Sequence, residues 1–404
     1  MRLHGWCLAA VLSASWLAEK DVRAFSLGKG GVVATSQDLA AATGVFRITR
    51  PLVQDGYVDD DDDDDDDDGE KPWLLYLPGF DGTLVAPFLQ FPELSTSFEV
   101  LGLSVGVDDR STFDDLATTI ADFVRRLNAS GGGGGGVYLV GESFGGLLAC
   151  ETALRLEGSG DGGLVRGLTL VNPATSYAGS ALDLKAPSVA ALPGPLYFFG
   201  LASLLPLFVD QWQLPQLLKI ISAQALPSVI DTPAREAYMG RVAFSLGDRL
   251  VTMPQDTLAW RLGEWLTTGC RTVNAPGRLE GLAAKTLVVA AEDDATLPSA
   301  QEARRLVDLL SDAEAFIVEG AGHTSTCGSR CDLAALLRRR FFAGLPMTGG
   351  AAEEGSGWKA TARRTSMKPE AATGRGTAEF GMEPRTYPSV NPLKYWSREL
   401  YRAP

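Results

Sequence analysis

Histidine is almost absent from this chain. Of 404 residues only His4 and His323 are histidines. His4 lies in a stretch that reads as a leader peptide, so a serine–histidine pair would have to take His323 as its base. Cysteine is scarce as well. The five residues, Cys7, Cys150, Cys270, Cys327 and Cys331, are odd in number and contain no Cys-x-x-Cys pair. Cys327 and Cys331 could stand together at a helix entry, but zinc would need more ligands. Free thiols in a reducing compartment are therefore expected, with no metal and no cofactor. A basic stripe is missing, which argues against a nucleic-acid partner. Charge of either sign is missing from Ala186 to Val209, a run long enough to cross a bilayer. Pro187, Pro193, Pro195 and Pro206 argue against one straight helix there. Two compatible readings fit the run: a broken apolar lid over a hydrophobic substrate, and ordinary packing inside a cap.

What is present suits one large domain with appendages, since 45% of residues are hydrophobic and 21% charged. The net charge of −14 misleads, because ten consecutive aspartates, Asp59 to Asp68, supply most of it. Such a run repels itself and stays solvated, so it reads as a low-complexity insertion. Gly131 to Gly136 is a second insertion of that kind. At the N-terminus, Arg2 precedes a short apolar core over 7–18, and Val22-Arg23-Ala24 places small residues at −3 and −1 of a cleavage site before Phe25. Residues 26–50 then carry a single acid, Asp38. The combination resembles the bipartite leaders of algae with secondary plastids. A plastid location is expected, with secretion as the alternative.

Strand and helix patterns alternate from residue 72 onward. Strands are expected at 73–77, 98–103, 137–140 and 164–171, with helices near 112–128 and 144–157. Phe113, Leu116, Ile120, Phe123 and Leu127 mark one face of the first helix, with Ser111 and Asp114 as a capping box. The alternation resumes with strand 286–291, helix 299–311, strand 314–318 and helix 331–342. Further helices are expected near 232–246 and 255–268. The implied organisation is a leader (1–50), an acidic linker (51–71), an α/β core in two parts (72–174 and 281–345), an apolar helical cap between them (175–280) and a disordered tail (346–404). The sheet should be mainly parallel and doubly wound, with ligands at its carboxyl edge.

The chemistry centres on Gly141 to Gly145, reading GESFG. A strand precedes it and an apolar helix follows it, with Ser143 at the apex. This resembles the nucleophile turn of the α/β-hydrolase fold. The same pattern recurs at Gly102 to Gly106, reading GLSVG, but no helix follows it, so Ser104 fails the context that a strained serine needs. His323 stands in a glycine-flanked loop after a late strand, where an imidazole could take the serine proton and return it to a leaving group. The acid should come from the loop Glu292 to Pro298. Asp294 has the usual spacing of four before a proline, Asp293 is the runner-up, and Glu292 is third. An acidic turn capping the helix from Ser299 is the bland reading of all three. The oxyanion donors expected are the backbone N–H groups of Phe144 and of Phe80, the latter in the loop Pro78 to Gly82, reading PGFDG. Asp81 could orient that loop, touch substrate, or form a plain Asp-Gly turn.

Six segments together carry a family resemblance: 77–83 (LPGFDGT), 140–146 (VGESFGG), 172–176 (NPATS), 258–262 (LAWRL), 292–299 (EDDATLPS) and 322–324 (GHT). They resemble the plant and algal plastid esterase/lipase/thioesterase family, the phytyl ester synthase-like proteins, over about residues 72–345. The resemblance implies acyl transfer from galactolipid or thioester acyl groups onto phytol or diacylglycerol. It also implies Ser143, Asp294 and His323 as the triad. Proteins of that family carry a second, acyltransferase half with a His-x4-Asp motif. No histidine follows His323, so that motif is not in this chain, and hydrolysis is the safer expectation.

Two classes of function compete. One is a serine hydrolase or acyltransferase that acts on lipid-like esters or thioesters through an acyl-Ser143, with peripheral membrane contact through the cap. The other is a catalytically weak hydrolase fold serving as receptor or carrier for a small apolar ligand. Peptidase chemistry would use the same residues, but an apolar lid argues against it. Dehalogenase and epoxide hydrolase chemistry would need an aspartate where Ser143 stands.

Overall fold

Apolar runs without polar alternation fold as strands covered on both faces, and the centre of this sheet is built from them. A computed structural model describes residues 46–54, 71–131, 134–209, 238, 253–327 and 331–342. The strands are β1 (Phe46–Thr49), β2 (Trp73–Leu77), β3 (Glu99–Val105), β4 (Val137–Glu142), β5 (Val165–Val171), β6 (Thr286–Ala291) and β7 (Ala313–Val318). They form a seven-stranded sheet in the order β1-β3-β2-β4-β5-β6-β7. Only β1 runs antiparallel, against β3; every other pairing is parallel.

Alternate residues of each strand face opposite layers. Leu75, Leu77, Leu103 and Leu170 meet helices α1 (Phe113–Ala129), α2 (Phe144–Gly158) and, further on, α7 (Ser299–Leu309). Leu74, Tyr76, Val140 and Val289 meet the short helix Phe91–Ser95 and the last helix, α8 (Leu333–Phe341). This is the doubly wound α/β architecture expected from the sequence.

The cap lies between β5 and β6. Helices α3 (Ala181–Ala190) and α4 (Gly194–Phe208) carry the uncharged run, broken between Ala191 and Pro193. Pro187 lies inside α3 and Pro206 inside α4. A second helical stretch runs through α5 (Gln255–Trp260), a π-helical segment (Arg261–Thr267) and α6 (Thr268–Val273). It extends past the expected end at 268. Gln255 ties the two parts together by donating through Nε2 to the Ala190 and Leu192 carbonyls, at 2.7 and 2.6 Å. No helix among the described residues is long and apolar enough to cross a membrane.

Two details depart from the sequence reading, and the placement of Ser104 agrees with it. Residues 46–49, assigned to the leader, form edge strand β1, and Pro51–Gln54, assigned to the linker, form a helical turn whose Pro51 packs against Gly102 of β3. The capping box of α1 is Thr112 with Asp115, one residue later than Ser111 with Asp114. Ser111 is instead held by its backbone N–H, which donates to Asp109 at 2.7 Å. Ser104 lies inside β3, paired with Arg47 of β1, and not at a strand–helix turn. The early leader, the aspartate run, the tail and, apart from Tyr238, the helix expected near 232–246 lie outside the described residues.

Candidate active site

Ser143 sits between β4 and α2 with φ 54° and ψ −113°, a conformation that L-residues avoid. The neighbouring glycines make the turn sterically feasible. A Cβ on Gly141 would stand 2.2 Å from the Gly145 carbonyl oxygen, and one on Gly145 would stand 2.0 Å from that of Leu77. Hydrogen bonds then hold the strained residue. Its N–H donates to Val171 at 2.8 Å, and its carbonyl accepts from Gly146 and Ala174, both at 2.9 Å.

The loop after β7 brings His323 to the serine, with Nε2 3.1 Å from Ser143 Oγ. On the other side of the ring, Nδ1 lies 2.8 Å from Asp294 Oδ2. Of the three carboxylates after β6, the structure places only Asp294 there. Asp293 is exposed, and Glu292 accepts from the Gly320 N–H at 3.0 Å. Asp294 is fixed by its own turn. Its Oδ1 accepts from the N–H groups of Thr296 and Leu297 at 2.8 and 3.1 Å, and its Oδ2 accepts from the Ser299 hydroxyl. One carboxylate thus does both jobs weighed in the sequence: it organises the turn before α7 and meets the imidazole.

The electrostatics favour charge separation across this pair. Burial alone would penalise the imidazolium, but the Asp294 charge and hydrogen bond, with Glu142 behind them, outweigh it and hold His323 above its ordinary value. Burial also works against the Asp294 carboxylate. The His323 charge and the hydrogen bonds from His323 and Ser299 prevail, and its pKa falls below the usual carboxylate range.

Three residues of this site were not foreseen as parts of it. Glu142, read only as the variable position before Ser143, is buried and accepts from Tyr76 Oη at 2.6 Å and Thr326 Oγ1 at 2.7 Å. Asn172, at φ 44° after β5, donates through Nδ2 to the His323 carbonyl at 2.6 Å and accepts from the Ala291 N–H at 2.7 Å. It therefore knots the ends of β5 and β6 to the histidine loop. Phe208 closes α4 with its ring between the site's aromatic groups, 6.0 Å and stacked from Phe80, 5.9 Å and edge-on from His323. The carbonyls at that helix end, free of intrahelical partners, accept from the acid and base loops: Leu207 from Thr296 Oγ1, and Phe208 from Thr324 Oγ1 at 2.9 Å.

The loop after β2 passes beside the serine, since a Cβ on Gly79 would lie 3.9 Å from the Ser143 Cβ. Gly79 and Gly82 close a turn through Gly82 N–H to the Gly79 carbonyl at 2.9 Å. The Gly79–Phe80 peptide is planar, so fixing that carbonyl also fixes the opposed Phe80 N–H. Phe144 opens α2, where a first-turn N–H has no intrahelical acceptor. Asp81 accepts from the Thr83 hydroxyl within the turn. A surface cavity of about 600 Å³ lined by Tyr177, Asp183, Cys270 and Asn274 contains none of Ser143, Asp294 and His323. The four cysteines among the described residues, Cys150, Cys270, Cys327 and Cys331, carry free thiols.

Comparison with known proteins identifies the family of the chain. The family model described as the alpha/beta hydrolase family matches residues 3–335. The chain is 32% identical over 255 residues to phytyl ester synthase 1, chloroplastic, of Arabidopsis thaliana, covering 63% of this chain and 35% of that protein. It is 30% identical over 226 residues to phytyl ester synthase 2, chloroplastic, of the same plant, covering 54% and 30%. The aligned part therefore spans about a third of the length of these relatives. Among solved structures, the esterase RhEst1 from Rhodococcus sp. ECU1013 matches with TM-score 0.47 and 15% identity, over 68% of this chain and 91% of that one. MenH from S. aureus matches with TM-score 0.46 and 16% identity, over 72% and 96%.

Proposed function

The chain belongs to the alpha/beta hydrolase family, and from that premise we propose that it is a serine esterase or acyltransferase working through an acyl-Ser143 intermediate on lipid-like esters or thioesters. The observation that carries this reading is the continuous hydrogen-bonded chain from Ser143 through His323 to Asp294. Ser143 Oγ attacks the acyl carbonyl carbon while His323 Nε2 takes its proton. The Phe80 and Phe144 N–H groups receive the developing oxyanion. Collapse of the tetrahedral species returns the proton to the leaving alcohol or thiol and leaves the acyl group on Ser143. Water then releases an acid, or an alcohol such as phytol or diacylglycerol accepts the acyl group as a new ester. Asp294 keeps the imidazole in the required tautomer and stabilises its charged form.

The lipid preference is supported by the Phe80–Phe208 wall beside His323 and by the uncharged helix α4 that supplies Phe208. Leu196 and Phe199 on α4 are 52% and 70% exposed, which supports peripheral contact of the cap with a lipid surface. The named relatives are chloroplastic, which together with the leader-like sequence supports a plastid location.

The test is labelling of the full-length protein with a fluorophosphonate, followed by assay on p-nitrophenyl esters of rising chain length, without and with phytol. Labelling should map to Ser143, and Ser143→Ala should cut kcat on the order of 10^5-fold or more. No labelling of Ser143 would sink the enzyme reading. A preference for acetate over long acyl chains would sink the lipid reading.

The pH profile is a second check. Only neutral His323 can act as base, so kcat/KM should fall as pH drops, with a midpoint above the ordinary histidine value of 6.5. Glu142→Gln removes one of the charges that raises His323 and should move that limb to lower pH. A limb that stays in place would show that Glu142 exerts no such field.

A further inference from the structure

Helix segment 261–267 reaches both proposed oxyanion donors from the cap side. Arg261 is fully buried, and among the described residues it forms no ion pair, although the Asp81 and Asp109 charges act on it. Its two Nη groups donate to backbone carbonyls instead, while its buried Nε has no hydrogen-bond partner among the described residues. Nη1 donates to Phe80 O at 2.8 Å, and Nη2 donates to Gly106 O at 2.7 Å and to Val105 O at 3.3 Å. These bonds lock the Phe80–Asp81 peptide to the end of β3. The preceding peptide, which carries the Phe80 N–H, is locked by the Gly79–Gly82 turn.

Four residues on, Trp265 serves the other donor. Its indole stacks on the Phe144 ring, with centroids 4.7 Å apart and planes 10° apart, and its N–H donates to Ser111 O at 2.9 Å. The Arg261 guanidinium lies over the same indole, 4.2 Å from the centroid. A single stack therefore runs from Arg261 through Trp265 to Phe144. The segment is π-helical, a register frequent at functional sites. Thr267 Oγ1 and Thr268 Oγ1 brace it by donating five residues back, to Leu262 O at 2.8 Å and Gly263 O at 3.2 Å.

Resting on the acyl-serine reading above, we infer that Arg261 is the positioning residue of the oxyanion site: it holds the Phe80 loop in register with the Phe144 amide. A buried cation in direct contact with no carboxylate is a costly way to fill space, and an apolar side chain of similar length would pack there at less expense. What the guanidinium adds is a planar fork that grips three carbonyls at once. Burial lowers its pKa to about 10, with the Asp81 and Asp109 charges opposing the fall, so it remains cationic at neutral pH.

The experiment compares full-length wild type, Arg261→Lys and Arg261→Met. It measures kcat and KM on the best p-nitrophenyl ester, inhibition by a matched trifluoromethyl ketone, and thermal unfolding. The ketone accepts Ser143 Oγ at its carbonyl carbon, its oxygen becomes the oxyanion, and the serine proton passes to His323. Removing an oxyanion donor outright costs about 10² to 10³ in rate, so a misplaced one should cost about 10- to 100-fold in kcat. KM should stay within about threefold, and ketone affinity should fall in parallel with kcat. Lys should retain part of the effect. A generally loosened fold would lower the active fraction and the melting temperature without weakening the ketone relative to substrate. If folded Arg261→Met keeps kcat and ketone affinity, the positioning role is overturned while the serine reading stands. If Arg261→Met does not fold, Arg261→Lys decides by the same two measurements. An inactive wild type that takes neither ester nor ketone overturns both readings.

Discussion

Residues 181–208 and residues 255–273 are both helical and both cover the same edge of the sheet, yet they are attached in different ways. The first stretch reaches the site mainly with apolar side chains, and its last carbonyls receive hydrogen bonds from Thr296 and Thr324. The second sends donors of its own into the core. Arg261 grips the loop after β2, Trp265 reaches Ser111, and Thr257 Oγ1 donates to Val107 O at 2.8 Å. An element held through its backbone can vary its side chains and still stay in place. An element held through its side chains cannot. The first half of the cap is thus suited to shape a substrate surface, and the second to act as a fixed strut for the catalytic loops.

The largest effect should come from Trp265→Ala. Trp265 is fully buried, and its loss empties the space between Arg261 and Phe144. Phe or Trp truncation in a core costs about 3–5 kcal/mol. Chemical denaturation should show a destabilisation of that size. A loss below about 1 kcal/mol would mean that the second stretch is no more structural than the first, and the contrast would fail.

Phe208→Ala should act on activity more than on stability. The ring is only partly buried and stands between Phe80 and His323. Its removal should lower kcat/KM on long-chain esters about tenfold, equivalent to ~1.4 kcal/mol of transition-state binding. Short-chain esters should be nearly unaffected. An equal loss on acetate and on long chains would place Phe208 with the positioning residues and blur the division between the two stretches.

The same contrast explains which parts of the molecule could be read from the sequence. Strands β2, β4 and β6 are continuous apolar runs that leave little choice of element. Ser143, Asp294 and His323 could be grouped because glycine flanks, proline spacing and chain order are local patterns, and because one histidine had no rival. Strand β1 was missed because four residues at a sheet edge owe their structure to pairing with β3 and to no pattern of their own. Arg261 was missed for a related reason. A charged residue in a helical pattern ordinarily faces water, and nothing in its neighbours announces three carbonyls waiting from the loop after β2 and the end of β3. Phe208 and Glu142 stood in the open, one in the uncharged run and one inside GESFG. Their placement follows only from where β7 sets down His323 and Thr326.

Phe199→Asp is the mildest substitution for the fold and tests the first stretch where it faces outward. Phe199 is 70% exposed, with Leu196 one turn before it on the same helix. An exposed position away from buried contacts tolerates substitution within about 0.5 kcal/mol, so the unfolding midpoint should hardly move. Activity on a soluble short-chain ester should also be preserved, because Phe199 belongs to none of the hydrogen-bonded chains around Ser143. Cosedimentation with neutral phosphatidylcholine vesicles should nevertheless drop, since one aspartate puts a desolvation penalty into a face whose only attraction to lipid is apolar area. Vesicle binding equal to wild type would remove the lipid surface from the account of α4. A large loss of stability would show that α4 depends on its outer side chains for its place in the fold, unlike residues 255–273, which are held by buried ones.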